Sequence, residues 1–443
     1  MSSTSEIFHI KEHTVEAQHI REYPRATANS QEEVLHLALK QYIPKNNPTP
    51  QPGDVTILAS HANGFVKELY EPLWEDLVEA LGKSGVRVRS IWIADVAWQG
   101  QSGILNQDKL GYDPSWLDHA RDLLHAVNTF RKEMPRPLIG VGHSFGANTL
   151  INLSLLHPRL LTSIICLDPV VSRYKFMNPR WGLLPMKSSA NRRDLWPSLP
   201  EAISSFAKNP FYATWDPRVT EKWNQYGLRK TPTRLYPSPE DADMVTLATS
   251  KHMEVVTYYR PQDQSFDPKT GKRVVSPNKK IDRSKLPDAE PTLAADFGDD
   301  FVFYRPEGPT TADRLPNLRP GVLYIFGETS NVNPPDIRQE KADLTGAGVG
   351  GSGGVAKGRV EIVTLEKYGH LVPLEATTRC AQLAGDFIKR ELERSWKPEE
   401  EEYQAWVEGN SLREKQTLGR EYDVWLGGGG GQSVNGVKKG AKL

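Results

Sequence analysis

Gly142-His143-Ser144-Phe145-Gly146 fits G-x-S-x-G, a spacing that can hold a serine hydroxyl exposed on a tight turn as a nucleophile. Chance alone supplies about 0.15 such matches in a chain of ordinary composition and this length, so the setting decides. Residues 138–141 before the motif read as an apolar strand and residues 148–156 after it as a helix. That strand-turn-helix context gives the motif a mechanical meaning. A serine attacks a carbonyl only when a base takes its proton, so a histidine held by a carboxylate must follow. His157 falls on the helix behind the motif and His252 in a proline-rich region. His370, in Tyr368-Gly369-His370-Leu371-Val372-Pro373, lies in a loop between a strand and a helix, where it can swing over the serine. Two strand ends offer the carboxylate. Asp168 closes the apolar run 164–167, while the loop after 322–326 offers Glu328 and Asp336. A carboxylate that ends an apolar strand is costly to bury without a partner, which favours Asp168. The oxygen of an acyl-transfer intermediate needs two N–H donors. Phe145 supplies one; the loop Ser60-His61-Ala62-Asn63-Gly64-Phe65 supplies the other, from Asn63 first and Ala62 or Gly64 next.

The elements that must position these groups alternate between β-branched runs and helical patterns. Strands are expected at 34–42, 55–59, 88–93, 138–141, 164–167, 322–326 and 360–365, with helices at 68–81, 116–130 and 374–392. This is the α/β class: a mostly parallel central sheet flanked by helices on both faces. Residues 1–168 form the first part of the core and 321–396 the second. Between them, 169–320 is rich in proline and lacks strand-like alternation, and reads as a largely helical cap inserted after the sixth strand. Residues 397–443 turn charged and then glycine-rich, as a tail.

Lys+Arg and Asp+Glu both total 55, so no net field draws the molecule to nucleic acid. Two cysteines, Cys166 and Cys380, lie in apolar runs, which excludes a disulfide scaffold and a zinc site. No signal peptide and no transmembrane segment is expected. Gly346–Gly351 matches G-x-G-x-x-G but follows a helix and precedes a strand, the reverse of dinucleotide binding; it reads as a surface loop, and no cofactor or metal is implied. From 169 to 193 the chain carries Arg173, Lys175, Arg180, Lys187, Arg192 and Arg193 with Asp and Glu absent. A solvated basic face accounts for this; alternatively Arg192 and Arg193 meet a polyanionic substrate such as the phosphates of coenzyme A.

The chain ends Ala441-Lys442-Leu443, a variant of the S-K-L signal read by the peroxisomal import receptor. His61–Phe65 with Lys67–Leu73, Asp118–Leu124, the Ser144 motif and Gly350–Val355 together resemble the fungal peroxisomal α/β-hydrolases, the group of the mycophenolic acid acyl-CoA hydrolase, the AK-toxin biosynthesis hydrolases and the yeast peroxisomal lipase. The resemblance runs along most of the chain and is weakest in the cap and tail. It implies the α/β-hydrolase fold, a triad of Ser144, Asp168 and His370, a peroxisomal address and a homodimer. It also implies hydrolysis of an acyl-CoA thioester or related ester, in secondary-metabolite or toxin biosynthesis. Ala62 stands where a relative has glycine. A lipase or carboxylesterase is the neighbouring reading; an acyltransferase or a non-catalytic binding protein is the more distant one.

Overall fold

The computed structural model describes residues 5–173, 183–238, 240, 243–260, 267–272 and 305–426. Lys175, Arg180 and the terminal Ala441-Lys442-Leu443 lie outside them. By contact density the chain divides into Met1–Glu391 and Leu392–Leu443.

The larger unit is built on eight strands: β1 (Phe8–Glu16), β2 (His36–Pro44), β3 (Val55–Ser60), β4 (Val88–Ala94), β5 (Leu138–His143), β6 (Leu161–Leu167), and, after the cap, two more, Gly321–Gly327 and Val360–Leu365. Their order in the sheet is β1-β2-β4-β3-β5-β6 followed by those two. β1 and β2 pair antiparallel, as do β2 and β4; every other pair is parallel. β3, β5 and β6 are buried along their whole length, which is why they read as unbroken apolar runs. β1 leaves little trace in the sequence. It is an edge strand whose Lys11, Glu12 and His13 are not buried, so it carries little of the pattern that marks a core strand.

Helices α1 (Glu71–Lys83), α2 (Gly100–Leu105), α3 (Trp116–Thr129) and α4 (Phe145–Leu156) connect the early strands. Ser115 caps α3 by accepting the Leu117 N–H at 3.2 Å. α3 and α4 pack together on one side of the sheet. The inserted region holds α5 (Leu183–Asn191), α6 (Leu199–Ala207), α7 (Pro210–Ala213), α8 (Pro217–Tyr226), α9 (Lys251–Tyr258) and α10 (Glu307–Arg314). It also holds a small antiparallel sheet of β7 (Leu195–Trp196), β8 (Leu228–Lys230) and β9 (Val245–Leu247), in the order β7-β9-β8. Strands of two or three residues are too short to show alternation, so this sheet leaves no sign in the sequence. The core resumes with β10 (Gly321–Gly327), α11 (Pro335–Leu344), β11 (Val360–Leu365), α12 (Val372–Glu375) and α13 (Thr377–Glu391); α13 packs with α1. The G-x-G-x-x-G stretch is a loop after α11, tied to the Leu315 and Pro316 carbonyls through the Gly346 and Gly348 N–H groups.

In the smaller unit the charged segment is helical: α14 (Lys397–Gly409), α15 (Leu412–Gln416) and α16 (Arg420–Trp425). Its order comes from local pairs. Gln404 donates to Glu400 at 2.8 Å, and Ser411 and Glu414 form a reciprocal cap.

Candidate active site

β3 is flanked by β4 on one side and β5 on the other, so the chain reverses its direction of travel through the sheet there. Ligands of open α/β sheets bind at the carboxyl ends of the strands at such a point. β3 ends in the Asn63 loop, β5 in Ser144 and β6 in Asp168.

Ser144 lies between β5 and α4 with φ 59° and ψ −121°, a backbone setting that costs a non-glycine residue about 1–3 kcal/mol. Its N–H donates to the Leu167 carbonyl at 2.9 Å, and its carbonyl accepts from Val170 at 3.1 Å, so the neighbouring strand end pins the turn. The flanking glycines serve close approach. A Cβ on Gly142 would stand 2.6 Å from the Ala147 Cα, and one on Gly146 2.5 Å from the His61 carbonyl oxygen. The strained φ belongs to the serine, and the glycines let α4 lie against β3 and β5.

His370 brings Nε2 to 2.9 Å from the Ser144 Oγ, and its Nδ1 lies 2.5 Å from Asp168 Oδ2. Asp168 is fully buried, has φ 44°, and donates its own N–H to the Ile325 carbonyl at 2.8 Å. Its carboxylate also accepts from the Ser330 hydroxyl at 2.6 Å and the Gly327 N–H at 3.3 Å. Burial alone would raise the carboxyl pKa; the hydrogen bond and charge of His370, with Ser330, more than offset it and hold Asp168 below the ordinary aspartate value. The alternatives stand elsewhere. Glu328 is exposed and accepts the Lys367 N–H at 2.9 Å, Asp336 is exposed at the start of α11, and His157, just past the end of α4, and His252, on α9, are both exposed.

Ser330 and His143 went unnoticed in the sequence, though His143 is part of the motif. The carbonyl of His370 can only accept, so His143 donates to it through Nε2, at 3.0 Å, and accepts through Nδ1 from the Tyr70 hydroxyl at 2.9 Å. That hydroxyl in turn accepts the Ala62 N–H at 2.8 Å. Burial, with the His370 ring nearby, holds the His143 pKa down at about 3, so it stays neutral. His61 is likewise lowered by burial; it donates to the Ala62 carbonyl at 2.8 Å and accepts the Val96 N–H at 3.0 Å.

These bonds narrow the choice of donor in the loop. Ala62 gives its N–H to Tyr70, and Gly64 gives its own to Gln99 Oε1 at 2.8 Å. That leaves, of the amides weighed, those of Asn63 and of Phe145, the first residue of α4, as candidates, and both residues line the cavity.

That cavity, about 340 Å³, opens on Ser144 and His370. Its walls are largely apolar and rich in aromatic rings, with Phe65, Trp116 and Phe145 from the core and Tyr212, Trp223 and Tyr258 from the cap. Arg192 lines it too, but its guanidinium is taken up by Glu254 at 3.0 Å and the Tyr212 hydroxyl at 3.2 Å. Arg193 is exposed, bonds the Leu195 carbonyl at 2.9 Å, and is not part of the lining. The basic stretch is thus partly neutralised, Arg173 also pairing with Asp313 at 2.7 Å. Among the described residues no cluster of His, Cys, Asp or Glu is suited to a metal, and no helix is long and apolar enough to cross a membrane.

A model of the alpha/beta hydrolase family matches residues 57–383. A type I acyl-CoA thioesterase of Penicillium brevicompactum is 41% identical over 89% of this chain and 92% of its own. One from Penicillium roqueforti (strain FM164) is 40% identical over 88% and 90%. An abhydrolase domain-containing protein of Alternaria alternata is 22% identical over 59% of this chain and 87% of its own. Among solved structures, a peroxisomal alpha-beta-hydrolase from Saccharomyces cerevisiae has a similar fold, with a TM-score of 0.62 at 16% identity over 95% of this chain and 96% of that one.

Proposed function

Because the chain belongs to the alpha/beta hydrolase family, we propose that it is a serine hydrolase that cleaves an acyl-CoA thioester through an acyl-enzyme on Ser144. The observation that carries this reading is the hydrogen-bonded line Ser144–His370–Asp168 at the mouth of an aromatic cavity. Ser144 Oγ attacks the acyl carbonyl while His370 Nε2 takes its proton. Asp168 keeps the Nδ1–H in place and stabilises the imidazolium. The N–H groups of Phe145 and Asn63 receive the oxyanion; one such donor is worth about 10²–10³ in kcat. The intermediate collapses, coenzyme A leaves as its thiol with the proton from His370, and water repeats the sequence to release the acid. The thioesterase relatives, similar over nine-tenths of their length, support the thioester as substrate. The aromatic walls suit a bulky, largely apolar acyl group. Ala441-Lys442-Leu443, together with the fold shared with a peroxisomal hydrolase, supports a peroxisomal address, and the relatives support a place in secondary metabolism.

Release of free coenzyme A from a panel of acyl-CoAs tests the reading, with a p-nitrophenyl ester alongside. Wild type should release it, and Ser144→Ala should lose the rate by about 10³-fold or more. Cleavage of the ester alone would make the protein a lipase or carboxylesterase, and an undiminished Ser144→Ala would overturn the nucleophile.

A further inference from the structure

The loop that carries Asn63 is shaped from behind by a side chain that does not line the cavity. Gln99, fully buried, precedes α2. Its Oε1 accepts the Gly64 N–H at 2.8 Å; its Nε2 donates to Asn63 Oδ1 at 2.7 Å and to Thr257 Oγ1 at 2.9 Å. The orientation of both amides is forced. The Glu254 carbonyl can only accept, so Asn63 faces it, at 2.9 Å, with Nδ2. Oδ1 then faces Gln99, which must present Nε2 there and Oε1 to the Gly64 N–H. Each donor meets an acceptor, and a side chain of the same bulk without an amide would leave buried groups unmatched.

Two members of this ring belong to the cap. Glu254 and Thr257 both lie on α9 and both line the cavity. Thr257 Oγ1 also accepts the Trp98 Nε1–H at 2.8 Å and donates to the Met253 carbonyl at 2.7 Å, which fixes its rotamer. The loop and α9 touch closely: Gly64 has φ +80°, and a Cβ there would stand 2.9 Å from the Glu254 carboxyl carbon. A shift of α9 is therefore felt by the loop, and a shift of the loop by α9.

We infer that Gln99 is a positioning residue that couples the seat of cap helix α9 to the direction of the Asn63 N–H, so that an acyl group that fits the cavity also sets the oxyanion donor. The inference rests on the proposed roles of Ser144 and Asn63. Its consequence is that acyl fit is expressed in kcat more than in KM, because the interaction it tunes is made in the transition state. A misplacement of about 1 Å suffices for a 10²-fold loss.

The test uses the full-length enzyme with p-nitrophenyl octanoate as substrate and an octyl trifluoromethyl ketone as inhibitor. The ketone adds to an activated serine, and its oxyanion occupies the site that the Asn63 and Phe145 amides serve. Gln99→Leu should lower kcat by about 10- to 100-fold with KM changed less than about 3-fold. The inhibition constant should rise by the factor by which kcat/KM falls, which a residue that merely supports folding would not produce. Thr257→Val, which cuts the link on the cap side, should lower kcat in the same way by a smaller factor. Should Gln99→Leu not fold, Gln99→Glu keeps the acceptor for Gly64 and removes the donor to Asn63, and gives the same readings. A wild-type kcat in the Gln99 variants, or a loss carried by KM with unchanged inhibition by the ketone, overturns the coupling while Ser144→Ala remains inactive. Turnover retained by Ser144→Ala would instead overturn the nucleophile reading itself.

Discussion

Ser144 and Asp168 are both non-glycine residues at positive φ, 59° and 44°, and each is held there by an N–H bond to a neighbouring strand, to Leu167 and Ile325. Strain of this kind persists only where the surroundings over-determine it. Ser144→Gly should therefore be as inactive as Ser144→Ala but more stable by about 1 kcal/mol, read from urea unfolding midpoints. Asp168 gives a pH prediction with a definite sign. Its folded pKa lies below the ordinary aspartate value, so the folded state keeps the carboxylate where the unfolded chain begins to protonate. The stability it contributes is complete above that value and is lost as pH falls through the folded pKa. Unfolding compared at about pH 6 and pH 3 should show a smaller acid loss in Asp168→Asn than in wild type, together with a loss of turnover of about 10²–10⁴-fold. Ser144, His370 and Asp168 were readable because each ends a strand or opens a loop that the apolar pattern marks. Ser330, Tyr70, His143 and Gln99 were not, because their roles depend on partners distant in sequence and on hydrogen-bond direction.

At the scale of elements, the elbow works because α4 lies almost against the ends of β3 and β5. Gly146→Ala should cost about 1–3 kcal/mol, visible as a lowered melting temperature, since its Cβ meets backbone that cannot move aside. The 67–71 segment that follows the Asn63 loop is anchored by buried charge. Lys67 Nζ lies 2.7 Å from Asp95 Oδ2 and 3.1 Å from Glu68, and Lys40 lies 3.1 Å from Glu68 and 3.4 Å from Glu71. Asp95 also accepts the Lys67 and Gln101 N–H groups, at 2.9 and 2.8 Å. Removing one partner strands the others in low dielectric, so Lys67→Met should destabilise the fold by about 3–5 kcal/mol in chemical denaturation. Polarity would place such residues on the surface. That is why most strands of the large sheet and its main flanking helices were legible by their apolar periodicity but not the charged interior beside the site.

Across the whole molecule, the proposed nucleophile, base, acid, oxyanion loop and cavity wall all belong to Met1–Glu391. A chain ending at Glu391 should accordingly fold and keep its turnover, which circular dichroism and the coenzyme A release assay would check. The change in composition near residue 397 carries no sign of the helices beyond it, which are held by local side-chain hydrogen bonds and a cap. The two cysteines add a property that concerns the molecule's surroundings. Cys166 and Cys380 are free and completely buried, and burial pushes both thiols upward, Cys380 to about 12. Oxidants and alkylating agents react with exposed thiolate, and here there is almost none to meet. Thiol oxidation therefore offers little route to inactivation or to disulfide-linked aggregates. Surroundings rich in hydrogen peroxide would, for these two sulfurs, be chemically safe.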